Sequence, residues 1–395
     1  MHEKTSNNKM DAGTIVVAGV IASAIGAIFY NTLPMYLGAA QDHRALGNEQ
    51  IGLIGTLFFL GYTLCSSSAF FWVRKTDWRI VSYSAIAVAA FGLLVAGGSS
   101  SYAGLLAGVF VAGCGFAGIY AVGTTLLSDT SNPARWYGAK ITAEAAIGVV
   151  LLVILPAVIL PRWGFIGLSA TLIVTLVLLA PSIILMPPQG ARGDAAEELA
   201  RGAGDRQSVW FALVACAMFM CGQTAIWGFV ERMGAGAGFN PTLVGTLLAV
   251  ALTFAVAGSL LAAWLGNRVG CLKPLIAAHL VFFVGLAALT RGHVFEAYAL
   301  GACLVLFSVG LGISYSVATI AELDPDGRFV VLSVPAIGVG IMVGPGIAGI
   351  LSANDSYAPV LAFGFISLVI SLLAFIYAER HGRHIAKLAE QRGTP

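Results

Sequence analysis

Twelve apolar runs, each close to the length of one bilayer crossing, leave this chain few folds to choose from. They cover residues 12–38, 51–73, 79–97, 101–127, 137–160 and 164–185, then 208–231, 241–265, 273–290, 295–321, 329–351 and 359–378. A hydrocarbon core about 30 Å thick takes roughly 20 residues of helix to cross. Lipid satisfies no backbone donor or acceptor, so each run is expected to close its hydrogen bonds internally as a helix. Composition agrees: only 10% of the 395 residues are charged, against about 25% in soluble domains, so lipid must cover much of the surface. The expected fold class is an all-α membrane protein of twelve transmembrane helices in two pseudo-symmetric six-helix bundles. Residues 1–185 form the first bundle and 208–395 the second. The linker, 186–207, carries Arg192, Asp194, Glu197, Glu198, Arg201, Asp205 and Arg206.

Charge placement orients the bundle. With the N-terminus inside, seventeen of the 21 Lys and Arg residues fall on the cytoplasmic side, and Arg44, Arg162, Arg232 and Arg291 remain outside. Cationic side chains are retained on the cytoplasmic face during insertion, so both termini and the linker are expected in the cytoplasm of a bacterial cytoplasmic (inner) membrane. Ala22-Ser23-Ala24 has the form of a signal-peptidase site, but the apolar run continues to Leu37, too long for a cleavable core. A retained first helix is expected. The six cysteines show no CxxC pair and no Cys/His ligand spacing, so no metal is expected. The net charge of +2 and the lack of a basic stripe exclude nucleic acid as a partner. No Gly-x-x-x-x-Gly-Lys loop or other cofactor motif is present, so ATP is not the expected driving force. No His cluster or Ser/His/Asp set suggests an enzyme.

The chain also repeats itself. Ile54-Gly55-Thr56-Leu57 returns 190 residues later as Val244-Gly245-Thr246-Leu247, and Ala146-Ile147-Gly148-Val149 returns at the same offset as Ala336-Ile337-Gly338-Val339. Tyr120-Ala121-Val122-Gly123-Thr124 is echoed by Tyr315-Ser316-Val317-Ala318-Thr319, and Asn132-Pro133-Ala134-Arg135 by Asp324-Pro325-Asp326-Gly327-Arg328. Two similar bundles can rock against each other and expose a central site to each side in turn.

Ala263-Trp264-Leu265-Gly266-Asn267-Arg268-Val269-Gly270, between runs eight and nine, resembles the loop signature of the major facilitator superfamily. Its first copy, Val73-Arg74-Lys75-Thr76-Asp77-Trp78-Arg79, is degenerate, with Trp78 in place of the Arg and Ile80 in place of the Gly. The resemblance implies a secondary transporter and makes Asp77, Arg79, Asn267 and Arg268 cytoplasmic gate residues. The family's antiporter motif belongs to helix five, which here has Gly148 and Pro156 without the glycine ladder. The ladder stands in run eleven instead: Gly338, Gly340, Gly344-Pro345-Gly346 and Gly349, spacings that let helices approach closely.

In such a fold the cavity is lined mainly by helices 1, 2, 4, 5, 7, 8, 10 and 11. Substrate-cavity candidates are Tyr30, Asn31, Tyr62, Tyr120, Thr124, Gln223, Trp227, Ser314 and Tyr315, since aromatic walls with a few convergent polar groups form small-molecule sites. Glu144 is the carboxylate placed well inside a cavity helix, and intramembrane carboxylates mark proton paths, so it is the proton-coupling candidate. Lys140, one turn earlier, offers a competing structural ion pair. His279, on peripheral helix nine, is expected to be structural. With no Arg or Lys read as deep in a cavity helix, the solute is expected to be neutral or weakly charged. The expectation is a monomeric transporter that moves a small organic solute by alternating access, coupled to protons as a symporter or antiporter. The alternatives are a drug/proton antiporter and a transporter-like sensor without transport.

Overall fold

The computed structural model describes residues 9–131, 133–190, 206–266, 268–324, 332–354 and 356–392. The helices are α1 (Gly13–Arg44), α2 (Asn48–Trp72), α3 (Trp78–Gly98), α4 (Tyr102–Ser128), α5 (Pro133–Ile154), α6 (Leu160–Leu179), α7 (Arg206–Gly236), α8 (Pro241–Leu265), α9 (Leu272–Leu289), α10 (Phe295–Leu323), α11 (Ser333–Leu351) and α12 (Ala358–Arg392). No strand occurs among the described residues. Successive helices alternate direction. One end of the bundle, the linker end, carries Gly13, Asp77 and Arg206; the far end carries Arg44, Ser99 and Ser352. Phe71, Phe91, Trp163, Leu178, Leu280 and Leu373 stand exposed around the outside, as lipid-facing side chains do.

The fifth and sixth crossings depart from the expected break at 160–164. Residues 135–185 are helical almost without interruption for 51 residues. That stretch would extend about 75 Å at 1.5 Å per residue, more than twice the hydrocarbon thickness. Pro156 lacks the N–H that would continue the ladder, and the backbone widens into a π-helical segment over Leu155–Ile159. The true break is at Gly164, where φ is +55°, a left-handed conformation that glycine adopts without penalty. Twelve crossings result. The first also runs longer than expected, to Arg44, and Ala22-Ser23-Ala24 lies buried within it. The charged linker residues 191–205 and the repeated loop at 325–331 lie outside the described residues.

The internal repeat becomes contacts between the halves. α1 packs on α7, α2 on α11 and α5 on α8; shifting each helix by six exchanges the last two pairs. A Cβ on Gly55 of α2 would meet Pro345 of α11 at 2.8 Å, and one on Gly245 of α8 would collide with Pro156 in the π-helical segment that follows α5. Likewise Gly338 of α11 lies against Thr63 of α2, and Gly148 of α5 against Leu252 of α8. The recurring glycines are therefore where one half closes on the other.

The glycine ladder of α11 has two faces. Gly340 and Gly344 press on the backbone of α7 at Ala217, Cys221 and Ala225, within one half. Gly346 and Gly349 press on α2 at Thr56, Asn48 and Gly52, across the seam.

The far end is shut. A Cβ on Gly52 would sit 2.5 Å from the Pro345 carbonyl and 2.9 Å from Gly349 Cα. Asn48 Nδ2 donates to Ser352 O at 2.6 Å, and Thr56 Oγ1 to Met342 O at 2.9 Å. Arg232 of α7 grips Asp42 of α1 with two bonds, 2.6 and 3.1 Å, while also pairing with Glu231. Toward the linker end the halves part around a cleft of about 240 Å³ between α5, α8 and α10.

Candidate functional site

Proline chemistry sets the first contact of the site. Pro34 inside α1 has no N–H to give to the carbonyl four residues back. That carbonyl belongs to Tyr30, and Trp227 Nε1 of α7 donates to it at 3.0 Å. The Tyr30 hydroxyl in turn donates to Gln223 Oε1 at 2.9 Å. Tyr30, Gln223 and Trp227 thus join the two halves near mid-membrane.

Small residues bring the next layer together. A Cβ on Gly148 of α5 would lie 2.9 Å from Asn31 Cβ, and in its absence Asn31 Nδ2 donates to the Glu144 carbonyl at 2.8 Å. Gly26 of α1 likewise makes room for Tyr120 of α4, whose ring centroid is 6.0 Å from that of Tyr62 on α2. The Tyr120 hydroxyl accepts from Lys140 Nζ at 2.7 Å, and Lys140 Nζ lies 3.0 Å from Glu144 Oε1. Tyr120 also presents its ring face to the ammonium, 4.4 Å from the centroid.

Lys140 corrects the sequence reading. It was placed with the cytoplasmic cations and no cation was expected inside; the residue is only 7% exposed. Its position two turns into α5 would strand a charge, but the Glu144 carboxylate, the Tyr120 hydroxyl and the ring face together replace its hydration. The signal available in the sequence was the Lys-x-x-x-Glu spacing on one helical face.

The remaining cavity candidates lie nearer the linker end. Tyr137 OH donates to the Thr124 carbonyl at 3.3 Å. Ser314 and Tyr315 line the 240 Å³ cleft with Tyr137 and Ser259, and Tyr315 OH donates to Gly266 O at 2.9 Å. Since the Tyr137 ring is also 6.0 Å from Lys140 Nζ, it stands between the cleft and the ion pair. Buried groups of the site without a hydrogen-bond partner include Gln223 Nε2 and Thr124 Oγ1.

The gate residues are not assembled here. Asp77 is the N-cap of α3, accepting from the Arg79 and Ile80 backbone N–H groups at 2.9 and 3.2 Å, as a short acidic side chain at a helix start does. The Arg79 side chain donates to Met186 O, and the Arg268 guanidinium lies 6.0 Å from the Trp264 ring centre. Asn267 lies outside the described residues. Ion pairs that do form at this end include Arg74–Asp129, 2.6 Å, with the Asp129 side chain fully buried, and Arg383–Glu379 on α12. At the far end, sequence reasoning placed Arg232 outside but missed Asp42, which carries no local sign of its partner 190 residues away. His279 is buried, 2.8 Å from Leu275 O and 3.1 Å from Ser371 Oγ, tying α9 to α12.

The sequence model of the Major Facilitator Superfamily matches residues 15–326. The chain belongs to this superfamily. Two solved structures of a bacterial homologue of the human lysosomal transporter Spinster share the superfamily fold with it. One is inward-facing and occupied, the other inward-facing and unoccupied; each has a TM-score of 0.67 at 16% identity. They cover 94% of this chain, which covers 96% and 97% of theirs. Comparison with curated proteins finds no match. As a superfamily member with twelve crossings, the protein is a multi-pass membrane transporter.

Proposed function

We propose that this transporter couples solute movement to protons through Glu144, working by alternating access in a bacterial cytoplasmic membrane with the linker end in the cytoplasm. The observation that carries the proposal is the Lys140–Glu144 ion pair, buried among tyrosines where α5 meets α1. A proton carrier must change charge during the cycle, and a carboxylate held beside a cation in a nearly dry site does so only with a change in its surroundings. Tyr30, Asn31, Tyr62, Tyr120, Gln223 and Trp227 supply the wall of a small-molecule site around it.

The far end, sealed at Arg232–Asp42 and Asn48–Ser352, is the extracytoplasmic gate. The excess of Lys and Arg at the linker end assigns that end to the cytoplasm. Asp77, Arg79 and Arg268 then stand where a cytoplasmic latch would engage in the alternate state.

Glu144→Gln tests the reading. Thermal-shift screening of the purified protein against metabolites and drugs supplies a solute, and proteoliposomes report its flux. The variant should lose accumulation driven by a pH gradient yet keep solute counterflow, because the amide stands in for the protonated acid. Normal pH-driven accumulation by a stable Glu144→Gln protein would falsify the assignment. The sign of solute flux under the imposed gradient separates symport from antiport.

A further inference from the structure

We infer that the transported solute is an organic monocarboxylate and that Lys140 is its anion-binding residue, uncovered when Glu144 takes up a proton. The inference rests on the proton-coupled reading above and narrows its substrate.

Charge balance carries it. Lys140 is held by the Tyr120 hydroxyl at 2.7 Å and by the rings of Tyr120 and Tyr137, which stabilise an ammonium without neutralising it. Glu144, at 3.0 Å, supplies the negative charge. The titratable groups facing the pair from neighbouring helices are phenols: Tyr30 of α1, Tyr62 of α2 and Tyr120 of α4. α8, packed on the other side of α5, has no titratable residue between Pro241 and Leu265. Protonating Glu144 therefore moves this buried site from net zero to one positive charge.

An uncompensated buried charge is strongly disfavoured. A cationic solute would deepen the imbalance and a neutral one would leave it. A monocarboxylate restores zero by taking the place of Glu144 on Lys140 Nζ, and a dianion would overshoot. Proton and anion then favour each other's binding reciprocally, one for one, which is a symport stoichiometry written into a single helical turn.

The rest of the site suits such a solute. Gln223 is fully buried, and its Nε2 donor has no acceptor, a position that a second oxygen on the solute would satisfy. Tyr30, Phe59, Tyr62 and Tyr120 form a run of rings with successive centroids 6.0–6.5 Å apart, a wall for a flat apolar body.

The test uses the purified full-length protein with benzoate, benzamide and benzylamine, three probes of similar shape and different charge. Benzoate is expected to bind in preference to the other two, with proton uptake from a weakly buffered solution, and to accumulate in proteoliposomes down an imposed proton gradient. Glu144→Gln should bind benzoate without proton uptake. Lys140→Gln should weaken benzoate binding on the order of 10- to 100-fold, the loss of one charge-assisted bond. Because that variant leaves Glu144 unpaired, Lys140→Gln combined with Glu144→Gln provides a neutral, well-matched pair, and should no longer prefer benzoate to benzamide. Undiminished benzoate binding by the double variant overturns the inference. So does wild-type protein that binds benzamide as tightly as benzoate, or that binds none of benzoate, phenylacetate and hexanoate. Proton-driven accumulation of benzylamine overturns the inference and leaves proton coupling standing. Benzoate binding with proton uptake but no proton-driven flux overturns both the coupling and the inference that rests on it.

Discussion

Gly52→Ala and Gly344→Ala add the same methyl group to equally tight contacts, yet they should fail in different ways. The Gly52 Cβ would lie 2.5 Å from the Pro345 carbonyl, about 0.9 Å short of ordinary contact at 3.4 Å, and 2.9 Å from Gly349 Cα. Both obstacles are backbone, so neither can rotate aside. α2 and α11 belong to different halves, however, and relief needs only that the far end open. The collision therefore penalises the far-end-closed state alone. Overpacking of this kind costs about 1–3 kcal/mol, equivalent to a shift of about 5- to 150-fold in the conformational equilibrium. Gly344 also faces backbone, the Cys221 carbonyl at 2.5 Å and Ala225 N at 2.8 Å, but α7 and α11 share a half and stay packed in every state. There the same 1–3 kcal/mol comes out of folding stability. Double electron-electron resonance between spin labels at Glu49 and Ala353 reads the first effect, and thermal unfolding reads the second. Gly52→Ala should broaden the far-end distance toward longer values with little change in melting temperature; Gly344→Ala should lower the melting temperature and leave the distances alone. Equal melting losses with unchanged distances in both variants would show that the α2–α11 contact does not open, and would refute alternating access at this seam.

Five further outcomes are expected. Asp42→Asn should favour far-end opening only about 2- to 5-fold, because the Asp42 side chain is 57% exposed and solvent weakens the pair. Arg232→Met, which strands the buried Glu231, should destabilise the protein by about 3–5 kcal/mol in chemical unfolding. His279→Ala should cost about 1–3 kcal/mol by breaking the α9–α12 tie while sparing solute counterflow; lost counterflow in a stable variant would assign His279 a transport role. In an otherwise cysteine-free chain, Ser100→Cys should react with an impermeant maleimide added outside intact cells and Lys75→Cys should not, and the opposite pattern would invert the orientation. The native Cys271 should label slowly at neutral pH even in opened membranes. Burial, reinforced by the nearby Glu322 carboxylate, pushes its thiol up to about 12, so the reactive thiolate forms only as pH rises toward that value.

Much of this architecture was legible in the sequence. Crossing number follows from apolar length, since a segment's insertion depends on its own residues, and the 190-residue repeat announced two related halves. Lys140 and Glu144 could be paired from their spacing alone, because four residues is one helical turn. What lay beyond reach were the contacts between turns of different helices. In a soluble helix the apolar stripe reports which face is buried, but here lipid and interior are both apolar, so sequence periodicity does not distinguish them. Hence the two faces of the α11 glycine ladder, the burial of Lys140 and the choice of Asp42 as partner for Arg232 emerged only in three dimensions. Asp77 shows the same limit: its place in a family loop suggested a latch, whereas in this conformation the local backbone claims it as a helix cap. Transfer into lipid is a property of each segment and can be summed along the chain; the register of one helix on another depends on the shapes of both surfaces at once, and only the folded structure brings those surfaces together.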